Sequence, residues 1–449
     1  MAEDNGIGPH VMKGLPKAAL AMFCTFAAVL AVCMSLLVAA FSLPAGPVRA
    51  SAERSVSMLE QEGVYPRVFD IENFRLDNWT DATMFGVAAV DDGTGLEGAL
   101  LARQPAGNDP ISALKSFLAG NQIDTPDYSR YWHGYQVLLR PAMYLGFDYG
   151  QIRIANGIVQ AALLVLAILS LCRARLARLA TALVATALSA SAVVFPLSLQ
   201  YSSVYCVALL SLSLALLLRR RLRGLVPRCA FMLAVGMVTN FVDFLTFPLM
   251  TLGLPLVSLI VLDANSNLNP GDHFSKERVV NPIALVILLS ISWAAGYGLM
   301  WISKWVIASV ILCGDYITPA LEQAAMRSSH SLNPNAGTGL TSFTLADLAR
   351  EIGRYWISPV ALAPFVVSAL GYAVSRIACK ARGLTAGGRG WPFIVSLLLV
   401  ALIPVAWFLV LGNHSFQHAW FAFRTASVSE FALLALLSPM RRSTKIEAK

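Results

Sequence analysis

The stretch "NPIALVILLSISWAAGYGLMWIS", residues 281–303, carries no charged side chain. A helix needs about 20 mainly apolar residues to cross the roughly 30 Å hydrocarbon core of a bilayer, and lipid offers no partners to an open backbone. The stretch therefore reads as a transmembrane helix. The rest of the chain agrees, since 57% of its 449 residues are apolar and only 13% are charged. The chain reads as an all-α polytopic membrane protein. Working outward from 281–303, ten transmembrane helices are predicted, near 18–42, 151–171, 179–198, 203–218, 229–242, 244–262, 281–303, 355–374, 391–411 and 425–439. The first is longer than a signal-peptide core and reads as a retained anchor.

Basic residues bias short loops to the cytoplasm. Placing the N-terminus inside puts Lys13, Lys17, Arg173, Arg175, Arg178, the run "RRRLRGLVPR" at 219–228, Lys276, Arg278, the segment 376–389 and the tail 441–449 on the cytoplasmic side. Those segments hold 20 of the 34 basic residues but only six of the 26 acids. Both termini are thus expected in the cytoplasm of a cell-membrane protein, and the net charge of +8 is a topology signal rather than a nucleic-acid footprint. A single membrane domain is expected over 1–440, with a large extracytoplasmic loop at 43–150, a second at 304–354 and a basic tail at 441–449. Helix starts are expected at Asp109-Pro110, at Asp148 with Gln151, and at Thr344 with Asp347. The helices of the two loops are read as interfacial, with "SLNPNAGTGLTS" as a linker. Of seven cysteines only Cys313 falls in an outer loop, so no disulfide framework is expected.

Four polar clusters fall on the outer side. In "LDNWTDATM", residues 76–84, Asp77 and Asp81 share a helical face; Asp77 reads as an N-cap, or one of the pair as a general base or metal ligand. "YSRYWHGYQVLLRP", residues 128–141, carries Arg130, His133 and Arg140 among aromatics suited either to anchoring at the interface or to holding a phosphate and a sugar or lipid. Asp243 in "TNFVDFLTFP" sits at the outer end of a span, where a carboxylate faces a wet cavity or an ion-pair partner. "NHSFQHAWFAFR", residues 413–424, brings His414, His418 and Arg424 to the outer mouth, ahead of Glu430. The histidine pair has a spacing that could hold a metal, but reads better, with Arg424, as donors to an anion such as a lipid phosphate, or as an interface turn.

These four stretches on a multi-span frame with a long acidic first outer loop resemble the GT-C class of membrane glycosyltransferases. They also resemble a group of bacterial multi-pass proteins associated with cell-surface glycan assembly. The resemblance runs over about residues 18–440. It implies a GT-C-like fold, catalysis by Asp77 or Asp81, and a polyprenyl-phosphate sugar donor and a glycan acceptor as partners beside membrane lipids. Substrate contacts would come from Arg130, His133, Arg140, Asp243, His414, His418 and Arg424, with Arg153 nearby. The adjacent acidic pair of several GT-C families is missing behind the first span; Asp91-Asp92 lies among glycines and reads as a turn. No cofactor is implied beyond a candidate divalent cation, and no metal ligand is assigned. A transporter or flippase, or a polymerase or ligase, of lipid-linked glycans would use the same outer groups.

Overall fold

The computed structural model describes residues 9–267, 281–332, 341–381 and 390–438. The basic residues expected at 276, 278, 382 and 389, the linker 333–340 and the tail 441–449 lie outside the described residues. Those described are helical, with no strand among them. The chain begins with α1 (Pro9–Phe41) and then forms a series of short helices, α2 (Ala45–Glu62), α3 (Asn78–Ala89), α4 (Gly95–Leu101), α5 (Pro110–Leu118) and α6 (Gln136–Tyr144). Apolar helices follow as α7 (Tyr149–Arg173), α8 (Ala177–Ser189), α9 (Leu199–Leu217), α10 (Leu225–Val242), α11 (Leu249–Asn267) and α12 (Pro282–Leu312). A second excursion holds α13 (Thr318–Ser328) and α14 (Leu345–Trp356), before α15 (Pro359–Ala381), α16 (Trp391–Val410), α17 (Gly412–Gln417), α18 (Ala419–Ala422) and α19 (Ser427–Leu437).

Eight helices among the described residues are long and apolar enough to cross a membrane: Pro16–Phe41, α7, α9, α10, α12, α15, α16 and the continuous Ala419–Leu437. The other two expected spans correspond to shorter apolar helices, Ala177–Ser189 and Leu249–Asn265. Their shortening has local causes. The span expected at 179–198 stops at Ser189 because Ser191 turns left-handed (φ 61°) and a 3-10 segment containing Pro196 follows. The one expected at 244–262 starts only at Leu249, behind a turn that Asp243 closes on Thr246 and behind Pro248. Conversely, the span at 281–303 runs on to Leu312 and takes Lys304 out of the second loop; its buried ammonium donates to the Ala99 carbonyl at 2.6 Å.

Packing follows the small-residue logic of helices in lipid. Where α10 crosses α12, a Cβ on Gly236 would stand 2.1 Å from the Trp293 carbonyl oxygen, and one on Gly296 2.1 Å from that of Leu233. Only glycine lets the backbones meet this closely. Trp293 then bonds Thr251 (3.0 Å), and Thr251 bonds Thr239 (2.8 Å).

Because successive helices alternate in direction, the long loop after α1 gathers at one end of the bundle with the connections α8–α9, α10–α11, α12–α15 and α16–α18. The short helices of the first loop do not lie singly on a surface. They share a core of their own, in which Val48, Leu59, Phe85, Ile111, Leu114 and Met143 pack with Tyr149 and Ile152 of α7. In α14 the apolar stripe Leu348, Ile352 and Tyr355 turns inward. Trp356 fixes its end by donating to Glu430 at 2.9 Å.

Candidate functional site

Asp77 is the N-cap of α3. One carboxylate oxygen accepts the Thr80 amide (3.0 Å) and the other the Thr80 hydroxyl (2.8 Å), so each oxygen keeps acceptor capacity. The group is buried. Burial, reinforced by the neighbouring Asp81 charge, outweighs the Thr80 bonds and the Arg424 guanidinium, and pushes the carboxyl from 3.8 up to about 7. Tyr65 borders it: burial first, then the Asp77 charge, pushes that phenol up.

Asp81, one turn on, is spent differently. It accepts the Tyr149 hydroxyl (2.6 Å), the Leu199 amide (2.9 Å), the Gln200 amide (3.2 Å) and the Ser198 hydroxyl (3.3 Å). Two of these are orphan amides of the first turn of α9, so a carboxylate of the first loop caps a transmembrane helix 118 residues away. Burial still pushes this carboxyl up to about 6. Four donors fill the lone pairs of a carboxylate, which leaves none for an acceptor hydroxyl. Behind it, Arg153 forks onto Glu62 (2.5 and 2.8 Å) and donates to the Tyr149 oxygen (2.8 Å), while Asn78 donates to Glu62 (3.0 Å). Arg153 is thereby neutralised and serves as a buttress. Asn78 is itself fully buried in this network.

A second cluster is cationic. Arg327, from the end of α13, points one guanidinium nitrogen at His418 (3.1 Å) and His414 (3.4 Å). His414 donates its other nitrogen to the Leu245 carbonyl (2.6 Å), which leaves the nitrogen facing Arg327 as the acceptor. Burial, then the Arg327 charge, pushes His418 down to about 3; burial, the His418 neighbour and Arg327 hold His414 well below 6.5. Two neutral imidazoles thus position a cation without cancelling its charge, and the lone pairs that would ligate a metal are turned toward a guanidinium instead. Arg130 lies over the rings of Tyr128 (4.5 Å) and Tyr131 (5.7 Å); burial pushes the Tyr128 phenol up, against the opposing charges of Arg130 and Arg327. Among the described residues neither arginine makes an ion pair.

The remaining expected contacts are occupied by the protein itself. Arg140 donates to the carbonyls of Ala40 (3.0 Å), Ala88 (2.5 Å) and Leu43 (3.0 Å), tying α6 to the end of α1 and to α3. His133 is held between the Tyr135 hydroxyl (3.0 Å) and the Tyr128 carbonyl (2.8 Å), at φ 55°. Among the described residues Asp243 takes no arginine partner; it closes its turn on Thr246 (2.9 and 2.5 Å) and accepts Tyr297 (3.0 Å). That turn sets Phe244 against Tyr128, Tyr131 and His133 and aims the Leu245 carbonyl at His414. Arg424 is fully buried, donates to the carbonyls of Ala190 (3.2 Å), Trp420 (3.4 Å) and Asn73 (3.1 Å), and lies over Tyr201 at 4.3 Å. These four side chains spend most of their hydrogen-bonding capacity on the protein itself.

Aromatic rings join the acid to the cations. His418 stacks on Phe421 (5.1 Å), Phe421 meets Trp420 (4.9 Å) and Tyr201 (6.5 Å), and Trp420 meets Tyr65 (5.3 Å) beside Asp77. A relay of ring contacts thus runs from His418, beside His414 and Arg327, to Tyr65 beside Asp77, and Arg327, Tyr65 and Tyr201 join a network in which the sequence reading did not single them out. Arg327 had no signal beyond being a basic residue in an outer loop. Among the described residues no group of three His, Cys, Asp or Glu side chains is placed to hold a metal ion. No family model, curated protein or solved structure matches this chain.

Proposed function

We propose that the protein is a membrane glycosyltransferase of GT-C type, which moves a sugar from a polyprenyl-phosphate carrier to a glycan acceptor at the extracytoplasmic face. The observation that carries this reading is a charge imbalance: Arg130 and Arg327 converge on Tyr128 with no ion-pair partner among the described residues. Half-buried cations without a counter-ion call for an anion, and a lipid-linked phosphate at the mouth of a membrane bundle supplies one. The excess of basic residues in the connections expected on the other side supports an outward-facing mouth.

In the reaction the acceptor hydroxyl oxygen bonds to the anomeric carbon while the bond from that carbon to the phosphate oxygen breaks. The departing phosphate keeps the electron pair, which Arg130 and Arg327 stabilise, and the hydroxyl proton passes to Asp77. A base that titrates at about 7 is matched to this task near neutral pH. Arg140, Arg424, Asp243 and His133 hold the elements in place, and Asp81 secures the start of α9.

The test is purified protein in liposomes with a radiolabelled polyprenyl-phosphate sugar and a saccharide acceptor. Label in the acceptor supports the reading. Label that crosses the bilayer while still joined to its lipid would replace it with lipid transport.

A further inference from the structure

We infer that the loop between α2 and α3, together with Trp420, is a binding platform for a saccharide chain, and that it delivers one hydroxyl of that chain to Asp77. The inference rests on the transferase reading only for what happens at Asp77; the platform itself is read from its own side chains. Tyr65 is 46% exposed, Trp79 37% and Phe69 86%. Tyr65 and Trp79 lie parallel (5° apart, centroids 6.4 Å), and Tyr65 meets Trp420 edge-on at 5.3 Å. Arg75 lies over Trp420 at 5.4 Å.

The loop is braced to hold this array. Arg67 and Arg75 pair across it, Glu72 binds both guanidinium groups at 2.5 Å, and Arg67 also reaches Asp70 at 3.1 Å. At its tip Phe69 (φ 54°) and Asp70 (φ 56°) are both left-handed, a conformation that a bulky side chain adopts only where the surroundings impose it. A strained backbone whose product is an exposed phenylalanine has no packing reason.

The chemistry selects a saccharide. A pyranose offers a face of C–H groups to an aromatic ring, whose π face is negative, and a rim of hydroxyls to charged side chains. Aromatic faces edged by Arg67, Asp70, Glu72 and Arg75 supply both. An interfacial anchor in lipid also uses Tyr and Trp, but pairs them with cations; here two acids, Asp70 and Glu72, lie between two bases, Arg67 and Arg75, which suits neither hydrocarbon nor an anionic headgroup layer. The platform adjoins the acid, since Asp77 is the N-cap of the helix whose first turn carries Trp79.

Saturation-transfer NMR tests this on the full-length Asp77→Asn protein in nanodiscs, with no donor present, using glucohexaose, galactohexaose and mannohexaose as probes. Transfer to ring protons of at least one probe is expected. It should weaken about tenfold, the equivalent of losing one good contact, in Tyr65→Ala and in Trp79→Ala, and persist in Trp79→Phe, which keeps a ring and guards against misfolding. Transfer to none of the probes, or transfer unchanged in both alanine variants, overturns the inference. So does quenching of Trp79 fluorescence by brominated lipids, which would place the loop in the bilayer. Binding without sugar transfer would sink the transferase reading alone; sugar transfer unaffected by Tyr65→Ala and Trp79→Ala would sink the platform alone.

Discussion

Asp77→Asn should make the protein more resistant to rising pH while removing its proposed base. The native carboxyl titrates at about 7 against 3.8 in the unfolded chain, so the folded state binds more protons than the unfolded state between these values. Stability must therefore fall as pH rises through that window. At 1.36 kcal/mol per pH unit, the raised carboxyl costs the fold about 2 kcal/mol at pH 5, where it stays protonated while the unfolded chain ionises, and about 4 kcal/mol at pH 8, where it is ionised in place. Asparagine keeps an oxygen to accept the Thr80 amide, and is as good an N-cap as aspartate, but it carries no charge. Its own burial cost does not depend on pH, so the informative quantity is the slope: between pH 5 and pH 8 wild type should lose about 2–3 kcal/mol that the variant keeps. Thermal unfolding in detergent, followed by tryptophan fluorescence at several pH values, measures this directly. A variant whose stability falls as steeply as that of wild type would refute the argument, because the charge would then be compensated in the fold.

Asp81→Ala should do the opposite and cost about 3–5 kcal/mol, since the Leu199 and Gln200 amides and the Tyr149 hydroxyl lose their acceptor; the yield of folded, monodisperse protein on size exclusion reports it. Gly236→Leu should prevent the α10–α12 crossing, where even a Cβ would stand 2.1 Å from the Trp293 carbonyl, and the variant should fail to accumulate in membranes; normal accumulation would contradict the packing described. Arg327→Gln should leave the unfolding midpoint unchanged and raise the KM for the lipid-phosphate donor about tenfold or more. A donor KM equal to that of wild type would remove Arg327 from the phosphate site.

Where the signal in the chain is local, it can be read without a structure. Asp109 caps α5, Asp148 with Gln151 caps α7, and Thr344 with Asp347 caps α14, each where its spacing places it. The helix α2 has no capping side chain, only Pro44, and so announces itself poorly. The ends of α8 and α11 depend on Ser191 and on the Asp243 turn, which hydropathy averages away. The site was harder to read for the same reason. Arg140 and Arg424 look like anion ligands until their carbonyl partners are known, and those lie as far as 100 and 351 residues away. Asp77 and Asp81 are equivalent in the sequence; only the fold of α9 around Asp81 separates an acid saturated with donors from one that keeps free lone pairs. Arg327 gains its meaning from two histidines 87 and 91 residues downstream.

The central claim is that Asp77 takes the acceptor proton in sugar transfer. Its most direct test is the single-turnover rate of transfer from a polyprenyl-phosphate sugar by wild-type and Asp77→Asn protein in the same liposomes, with both shown to be folded. The account predicts measurable transfer by wild type, with a rate that rises with pH up to about 7, and a loss of about a hundredfold or more in the variant. A variant that transfers sugar at the wild-type rate, with the same pH dependence, would contradict it.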